Sequence, residues 1–423
     1  MGYSGPKRMR HRPRGDILAA VDIGTTKIVC FVCRVGDGGA PKIVGIGHQA
    51  SRGLRNGAVI DMDAATAAIG EAVAAAEKMA GETIDRVLVS MAGGFPASQT
   101  IVSEVSVPSH QVGETDVRHA LRDQTLGHLA PDSTIIHAIP IGYAVDGSRG
   151  VADPTGMFAE RLGVDLHLVT AQAGAMRNLA TCIHRCHLEV EAFAAAPYAA
   201  ALSTLVEDEM ALGACCIDLG GGTTGVTVFF EGKMVFCDVC PVGGSHITVD
   251  VARGLTTPLH AAERMKTLHG SAVSSPADDR EMIDVPQVGE NEPSQTNQVT
   301  KSLLTGIIEP RVEEIFELVR GRLEASGFDK IAGRRVVLTG GTSQLQGIRE
   351  LAARVLDKQV RVGRPGGLPG LAASTGGPAF SAAIGLLAHA GRHAEERSLV
   401  DDIQDEPASG FISRIGEWLK EYF

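Results

Sequence analysis

Two short segments combine a carboxylate with glycine and threonine in an arrangement that suits phosphate binding. Asp22 ends the apolar run Ile17–Val21, and Asp218 ends the apolar run Ala214–Ile217. The residues that follow are Gly24, Thr25, Thr26 and Lys27 in the first segment and Gly220, Gly221, Gly222, Thr223 and Thr224 in the second. Glycine lets main-chain N–H groups approach phosphate oxygens closely, and threonine adds hydroxyl donors without bulk. Each segment is therefore a candidate phosphate-binding hairpin.

The repetition of this pattern predicts an internal duplication. A single Gly-Thr-Thr turn is ordinary in hairpins, but two copies at the ends of buried-strand patterns form a specific signal. Two facing hairpins would clamp a polyphosphate, and Asp22 and Asp218 would hold the water shell of a Mg²⁺ ion that neutralises it. Lys27 would offer its ammonium to a phosphate. The Gly-x-x-x-x-Gly-Lys-Ser/Thr spacing of a P-loop is absent from both segments.

Two further segments fit the same nucleotide site. Glu263 and Lys266 lie one helical turn apart and share a face that would contact ribose and base, although most such pairs are solvated. The segment of Gly340, Gly341, Thr342 and Ser343 ends a strand pattern and opens a predicted helix, which offers main-chain groups to the nucleoside. The predicted ligands are a nucleotide that carries a polyphosphate and Mg²⁺.

The segments that must position these residues alternate between strand and helix patterns, which predicts a mixed α/β protein. Strand patterns run through Val29–Val35 and Val87–Ser90, and the Ala-rich segment Ala64–Met79 reads as a helix that ends at Gly81. Alternating strands and an amphipathic helix at Thr115–Leu129 indicate a separate inserted subdomain. At 423 residues the chain exceeds the size of one hydrophobic core, so at least two units are expected.

In their order along the chain, the motifs resemble those of the actin, Hsp70 and hexokinase superfamily. Their detailed sequences are similar to the FtsA family of bacterial cell-division proteins. The matching segments are Asp22–Lys27, Ser90–Gly93, Asp218–Thr224, Gly254–Pro258, Ala262–Lys266 and Gly340–Gly347. The resemblance implies an α/β fold of actin-like, ribonuclease H-like type, with two duplicated lobes, two small inserted subdomains and a C-terminal amphipathic helix.

The resemblance and the composition together predict the domain boundaries. The first lobe comprises 16–92 and 167–211, with an inserted subdomain at 93–166. The second lobe comprises 212–249 and 302–391, with an inserted subdomain at 250–301 that includes a mobile loop at 271–300. The remaining segments are a flexible basic tail at 1–15, an acidic linker at 392–409 and an amphipathic helix at 410–423.

The resemblance also implies partners and a location. In the family, the first inserted subdomain serves self-association into filaments, and the second receives the C-terminal tail of the tubulin-like GTPase FtsZ. The expected location is the cytoplasmic face of the inner membrane at the division site. There the protein would tether the FtsZ ring to membrane lipid and recruit later divisome proteins.

One departure from the superfamily pattern bears on catalysis. Hsp70 proteins carry an acidic residue before the proline of a connecting helix, where it positions the attacking water. The segment that looks equivalent here has Ala196 before Pro197. Without a group that orients water, turnover is expected to be slow, and ATP is expected to act mainly as an assembly or conformational switch. No catalytic residue is assigned.

Residues 410–423 carry a stripe of apolar and aromatic side chains at helical spacing. The stripe consists of Phe411, Ile412, Ile415, Trp418, Leu419, Tyr422 and Phe423. At about 100° per residue these side chains share one helix face. Their position after an acidic linker favours a helix that lies in the membrane interface over one packed on the protein body. One short helix would anchor weakly, so polymerisation would supply avidity.

The net charge and the hydropathy of the sequence argue against a nucleic-acid-binding protein and against a membrane-spanning one. The net charge of -11 opposes nucleic-acid binding. The basic run Lys7–Arg14 reads as a flexible tail, with contact to anionic lipid as the alternative. No apolar segment approaches the ~20 residues that span a bilayer.

The eight cysteines favour a reducing compartment. The pairs Cys30/Cys33 and Cys237/Cys240 lie in strand-like sequence, where positions i and i+3 point to opposite faces. Buried thiols are therefore favoured over zinc.

Two alternative functions share this superfamily. A sugar or polyol kinase would need a catalytic carboxylate beside the substrate hydroxyl, for which no motif stands out, and it has no use for the terminal helix. An Hsp70-type chaperone is disfavoured because no β-rich peptide-binding unit follows the second lobe in this sequence.

Overall fold

The computed structural model describes residues 15–36, 41–122, 129–289 and 296–390. The strands are β1 (Ile17–Ile23), β2 (Lys27–Val35), β3 (Pro41–Ala50), β4 (Leu54–Arg55), β5 (Ala58–Val59), β6 (Arg86–Met91), β7 (Ala97–Ser106), β8 (Ser133–Val145), β9 (Ser148–Val151), β10 (Arg161–Gln172), β11 (Glu189–Ala195), β12 (Ala214–Leu219), β13 (Thr224–Phe230), β14 (Lys233–Cys240), β15 (Met282–Pro286), β16 (Thr296–Thr300), β17 (Arg335–Thr339) and β18 (Gln359–Val362). The helices are α1 (Met62–Ala80), α2 (Glu114–Arg122), α3 (Ala173–His184), α4 (Ala196–Thr204), α5 (Glu207–Leu212), α6 (Gly244–Gly254), α7 (Leu259–His269), α8 (Lys301–Ser326), α9 (Ile348–Leu356) and α10 (Ser381–Ala390).

Two five-stranded sheets repeat one topology. The first has the order β11-β6-β1-β2-β3, and the second has the order β14-β13-β12-β17-β18. In each sheet three consecutive strands pair antiparallel. Of two later strands, the first pairs parallel with the first of the three, and the second pairs parallel with that added strand. Both central strands, β1 and β12, are almost wholly buried, as expected for strands covered on both faces. The internal duplication predicted from the two hairpins is thus visible in the sheet connectivity.

Helix α1 covers the first sheet, begins at Met62 rather than at the predicted Ala64, and ends at Gly81 as its sequence predicts. The Asp61 carboxylate accepts hydrogen bonds from the N–H groups of Asp63 and Ala64, and Gly81 ends the helix in the left-handed conformation. The helix packs on β3 at Gly47, where a Cβ would stand 1.7 Å from the Ala72 carbonyl oxygen. Glycine in β3 therefore sets how closely this helix approaches the sheet.

Helices α4 and α10 cross between the two lobes. A Cβ on Gly385 of α10 would lie 1.6 Å from the carbonyl oxygen of Ala199 in α4, so the two backbones are nearly in contact. Pro197 of α4 packs against Gly225 of β13, which joins this helix pair to the second sheet. Small residues at these crossings hold the lobes close together.

The first inserted subdomain is a four-stranded sheet of order β7-β10-β8-β9, beside which α2 packs. Strand β10 continues past the predicted boundary at residue 166, because it pairs with β7 as far as Thr170 and with β8, through two register shifts, as far as Gln172. A single apolar strand gives no local signal of where one structural unit ends. The predicted helix at 115–129 is observed over Glu114–Arg122, and residues 123–128 lie outside the described residues.

This inserted subdomain contacts both the crossing helices and the second lobe. The Ala195 N–H, just before α4, donates to Nε2 of the buried His137 at 2.9 Å. The Cys237 N–H of β14 donates to the Ser98 hydroxyl at 2.7 Å, and Lys233 Nζ donates to the Ile141 carbonyl oxygen at 3.3 Å. The insertion is therefore held from two sides rather than hanging free.

The second inserted subdomain contains α6, α7 and a two-stranded sheet of β15 and β16. Part of the segment 271–300, which includes the predicted mobile loop, forms strand, since these two strands pair over 282–286 and 296–300. Ile283 and Val285 alternate with exposed residues and are buried in the second lobe's core cluster. These two apolar side chains at strand spacing are enough to attach the segment to the core. The otherwise polar composition of the segment gives little sign of a strand in the sequence. Residues 290–295 lie outside the described residues.

Several predictions fall outside the described residues: most of the basic tail, the acidic linker and the terminal amphipathic helix. Within the described ranges no helix is both long and apolar enough to cross a membrane. The eight cysteines carry free thiols, of which all but the half-buried Cys186 are buried. Cys182 of α3 contacts Met62 of α1, so it packs between helices.

Candidate functional site

A cavity of about 550 Å³ lies between the two sheets. Its wall includes the turn after β1, the turn after β12, the start of α6, one face of α7, the turn after β17 and the segment before α10. The duplicated strands β1 and β12 both end at this cavity, since the turns that follow them line it. Its volume lies within the range of ligand pockets, and its position between lobes is typical of them.

The first hairpin is closed by main-chain and side-chain hydrogen bonds. Gly24 N–H donates to the Lys27 carbonyl oxygen at 3.0 Å, and Ser90 Oγ donates to the Asp22 carboxylate at 2.5 Å. Thr25 Oγ1 accepts from the Gly57 N–H at 3.0 Å. Because that oxygen accepts, the Thr25 hydroxyl hydrogen remains available to donate to a ligand.

The second hairpin has the same closure and lies against the first. Gly220 N–H donates to the Thr223 carbonyl oxygen at 2.9 Å. A Cβ on Gly221 would lie 2.4 Å from Thr26 Cγ2, and one on Gly222 would lie 2.5 Å from Thr25 Oγ1. Glycine is required at both positions for the two hairpins to meet.

Three charged side chains meet beneath the hairpins. Burial raises the pKa of Asp22, an effect opposed by the Ser90 hydrogen bond and by the Lys27 charge. Burial, reinforced by the charge of Asp22 and opposed by Lys27, raises the pKa of Asp218 to about 7. Burial likewise lowers the pKa of Lys27, against the attraction of both carboxylates. The cavity wall thus holds two carboxylates with one ammonium, that of Lys27, as their opposing charge.

The carboxylate pair has the chemistry of a magnesium site that is shared with a ligand. Mg²⁺ in nucleotide sites keeps several waters and takes one or two carboxylates plus phosphate oxygens. Asp22 and Asp218 supply two carboxylates, and Thr25 and Thr223 supply hydroxyls on the same wall. Within the described residues no cluster of three or more His, Cys, Asp or Glu side chains forms an all-protein cage. The residues therefore fit a hydrated ion that arrives with phosphate.

Lys266 is a buried hydrogen-bond donor rather than half of a solvated pair. Its Nζ donates to the Gly244 carbonyl oxygen at 3.0 Å, to Thr248 Oγ1 at 2.9 Å and to the Glu263 carboxylate at 2.7 Å. The Lys266 side chain is 12% exposed, whereas that of Glu263 is 53% exposed. This network fixes the start of α6 against α7 at the cavity wall.

The turn after β17 packs directly on the second hairpin. Gly340 has a φ of 83°, and a Cβ there would lie 2.4 Å from the Asp218 carboxylate, so only glycine fits. Thr342 Oγ1 donates to the Gly220 carbonyl oxygen at 2.9 Å. The predicted helix start is instead a short 3₁₀ turn over Gly341–Gln344.

Comparison with known proteins identifies the relatives of this chain. The family model "Cell division protein FtsA" matches residues 215–385, and "SHS2 domain inserted in FTSA" matches residues 93–170. The cell division protein FtsA of Agrobacterium fabrum is 43% identical over 425 residues, which cover 97% of this chain and 96% of that protein. FtsA of Escherichia coli K12 is 31% identical over 416 residues, covering 96% and 98%. This chain belongs to the FtsA family of cell division proteins.

Solved structures place the FtsA-family chain among actin-like folds. A chain of the PilM-PilN type IV pilus biogenesis complex has a TM-score of 0.63 at 17% identity, covering 90% of this chain and 99% of its own. MreB5 of Spiroplasma citri has a TM-score of 0.53 at 14% identity, covering 93% and 100%. The predicted family and the predicted actin-like, two-lobed α/β fold are confirmed.

The cavity gathers most of the residues that the sequence of this FtsA-family chain singled out. Those on its wall are Asp22, Gly24, Thr25, Thr26, Lys27, Asp218, Gly220, Gly221, Thr223, Glu263, Lys266, Gly340, Gly341 and Thr342. Three others do not line it. Gly222 packs on the first hairpin, Thr224 Oγ1 donates to the Val242 carbonyl oxygen at 2.8 Å, and Ser343 Oγ donates to the Gly340 carbonyl oxygen at 2.7 Å. The hydroxyls of Thr224 and Ser343 hold the turns in shape.

Two parts of the wall escaped the sequence analysis. Gly244 and Ser245 begin α6 and donate their N–H groups to the carbonyl oxygens of Gly220 and Gly221. Pro378 and Ala379 lie just before α10, and the Pro378 carbonyl oxygen accepts from Gly340 N–H at 3.1 Å. A Gly-Gly pair marks each part, Gly243-Gly244 at the start of α6 and Gly376-Gly377 directly before Pro378, and a search for glycine turns before helices would have used this signal.

Proposed function

We propose that this chain binds MgATP in the cleft between its lobes and uses the nucleotide mainly as a switch for assembly. The observation that carries the proposal is the cavity where two duplicated hairpins, two carboxylates and a buried lysine ammonium meet. An anionic ligand with a divalent cation supplies the charges that this set lacks. MreB5, which shares the fold, was solved bound to ADP and to AMPPNP, which supports a nucleotide as the ligand class.

Turnover of this nucleotide is proposed to be slow. Ala196 lies on the cavity wall directly before Pro197, where an acidic residue would orient a water. The acidic residues on the described wall are Asp22, Asp218 and Glu263. The first two suit the metal, and the Glu263 carboxylate accepts hydrogen bonds from Lys266 and Thr248. No described side chain on the wall is left to serve as a general base.

The wider role we propose is that of a membrane tether in cell division. The chain would polymerise on the cytoplasmic face of the inner membrane, hold the FtsZ ring there by the C-terminal tail of FtsZ and recruit later divisome proteins. Family membership supports this role, with the first inserted subdomain serving self-association and the second receiving the FtsZ tail. The stripe at 410–423 supplies the proposed contact with membrane lipid.

Titration calorimetry with MgATP tests the nucleotide site. Lys27→Met should weaken binding by about 10- to 100-fold, since a hydrogen bond to a charged group contributes about 1.5–3 kcal/mol. Lys78→Met, on the exposed last turn of α1, is the matched control and should leave the affinity unchanged. Absence of MgATP binding by the full chain, or equal affinity of the two variants, would show the proposed site to be wrong.

A further inference from the structure

The Lys27 ammonium occupies an unusual position in the cavity wall. Its Nζ lies 3.5 Å from the centroid of the Phe380 ring. The nitrogen is fully buried and has no hydrogen-bond partner among the described residues. A buried ammonium with no acceptor is strongly unfavourable unless other groups compensate. The ring face, which carries negative electrostatic potential, is one compensating group, and the carboxylates of Asp22 and Asp218 supply the rest.

Phe380 is fixed from both lobes. It ends the short 3₁₀ turn Pro378–Phe380, whose first carbonyl oxygen accepts from Gly340 N–H of the second lobe. On the first lobe the ring packs edge-to-face on His48 of β3, with centroids 5.9 Å apart. Burial, with the Lys27 charge, lowers the pKa of His48, so the imidazole is the neutral neighbour of this ring. The ring position therefore follows from the same contacts that join the lobes.

An ammonium in this position cannot donate to a ligand in the cavity without moving, because its nitrogen has no exposed surface. We propose that Phe380 is a positioning residue that holds Lys27 in a withdrawn site, from which MgATP releases it. The inference rests on the proposed nucleotide binding. Mg²⁺ takes over the carboxylates that attract Lys27, while phosphate oxygens offer the acceptors that it lacks. Both changes draw the ammonium away from the ring.

The withdrawn contact stabilises only the nucleotide-free state, so weakening it should tighten MgATP binding. Phe380→Leu is expected to lower the dissociation constant by about 2- to 30-fold, the range that a cation–π contact of this kind provides. Phe380→Tyr, which keeps an aromatic face, should bind like the parent chain. Fluorinated phenylalanines at 380 should tighten binding progressively as fluorine withdraws electron density from the ring.

A second genetic background separates this role from a packing role. In Lys27→Met chains the ring has no cation to hold, so Phe380→Leu should leave the dissociation constant of that background unchanged. An equal effect of Phe380→Leu in both backgrounds, or weaker binding in the Leu variant, would overturn the proposal.

Nuclear magnetic resonance of chains labelled at the lysine ε-carbons gives a readout that needs no nucleotide. The Lys27 ε-proton signal, assigned by its absence from Lys27→Met, should lie upfield because of the ring current and return downfield in Phe380→Leu. Saturating MgATP should shift it downfield in the parent chain. No upfield shift in the free chain, or one that persists with MgATP bound, contradicts the withdrawn site. If the parent chain fails to bind MgATP, the proposed function is wrong, yet the upfield shift in the free chain still tests the contact.

Discussion

At the scale of residues, the site is defined by charges that share one buried volume. Asp22 and Asp218 lie far apart in sequence, yet both line the cavity, and the charge of Asp22 adds to the burial that raises the pKa of Asp218. Ser90 and Lys27 partly relieve Asp22. Among the described residues, no hydrogen bond comparable to that from Ser90 offsets the effect of burial on Asp218, and its pKa rises to about 7. A pKa of about 7 makes Asp218 a carboxylate that responds to pH near neutrality.

The pH dependence of stability tests this raised pKa of Asp218. The folded pKa of Asp218 lies above its ordinary value of 3.8, so the folded chain binds the proton more tightly than the unfolded chain. Its contribution is fully present below pH ~4 and is lost as pH rises through about 7, which lowers the unfolding temperature of the nucleotide-free chain across that window. Asp218→Asn should flatten this fall by on the order of 2 kcal/mol between pH 5 and 8.

Thermal unfolding at a series of pH values gives the measurement. Asp85→Asn is a suitable control, because the Asp85 side chain is 86% exposed and its charge lies in water. Its profile should follow that of the parent chain. If the Asp218→Asn profile also follows the parent, the burial of that carboxylate does not govern stability near neutral pH.

At the scale of elements, local sequence signals determine where helix α1 begins and ends, whereas close packing determines its distance from the sheet. Its cap residues Asp61 and Gly81 are visible in sequence, and the structure places them at the two ends. Its distance from the sheet is set elsewhere, by Gly45 and Gly47 of β3, where a Cβ would lie 2.3 and 1.7 Å from carbonyl oxygens of the helix. Glycine weakens a strand locally, so a cross-element contact explains its presence there.

Two Gly→Ala substitutions probe this contact. Gly47→Ala should destabilise the chain by about 1–3 kcal/mol, because the new methyl group forces α1 away from β3. Gly70→Ala lies within α1 itself, where the nearest atom outside the helix would be 3.7 Å from the Cβ. It should be neutral or stabilising by up to about 1 kcal/mol, since alanine favours helix over glycine. Denaturant unfolding measures both, and equal effects would contradict the packing argument.

At the scale of the whole molecule, contacts other than those of the hairpins also join the two lobes. Glu209 of α5 binds Arg335 of β17 and Arg361 of β18 on the second sheet. The Ile43 N–H of β3 donates to the carbonyl oxygen of Pro369, in the segment that leaves the second sheet. A ligand that binds both hairpins therefore binds between lobes that these other contacts already hold together.

Membrane attachment belongs to this scale because it depends on many copies acting together. Deleting residues 410–423 should abolish sedimentation with liposomes while MgATP affinity stays unchanged, since the cavity is built from residues before 391. Trp418→Glu should reproduce the loss, whereas Ser413→Ala, on the polar face, should not. Undiminished sedimentation of the deleted chain would contradict the tether.

The sequence by itself determined the features whose cause is local. Helix ends, buried strands and both Gly-Thr hairpins depend on residues within a few positions of one another, and the duplicated motif was specific enough to predict the family and the two-lobed fold. The carboxylates Asp22 and Asp218 could be paired in advance because the motif repeats. Where a local signal was weak, as near residue 166 in β10 and in the β15–β16 segment, the sequence did not show the extent of the observed strands.

Only the tertiary structure decided what depends on residues distant in sequence. It turned Thr224 and Ser343 toward main-chain carbonyl oxygens, brought Pro378 and Ala379 into the cavity wall and buried Lys266 among acceptors. It also placed the Phe380 ring over Lys27. Burial and close approach arise from packing of whole elements, and no short pattern encodes them. The two hairpins predict a phosphate site from the sequence, but the position of the Lys27 ammonium beside the Phe380 ring depends on the tertiary structure.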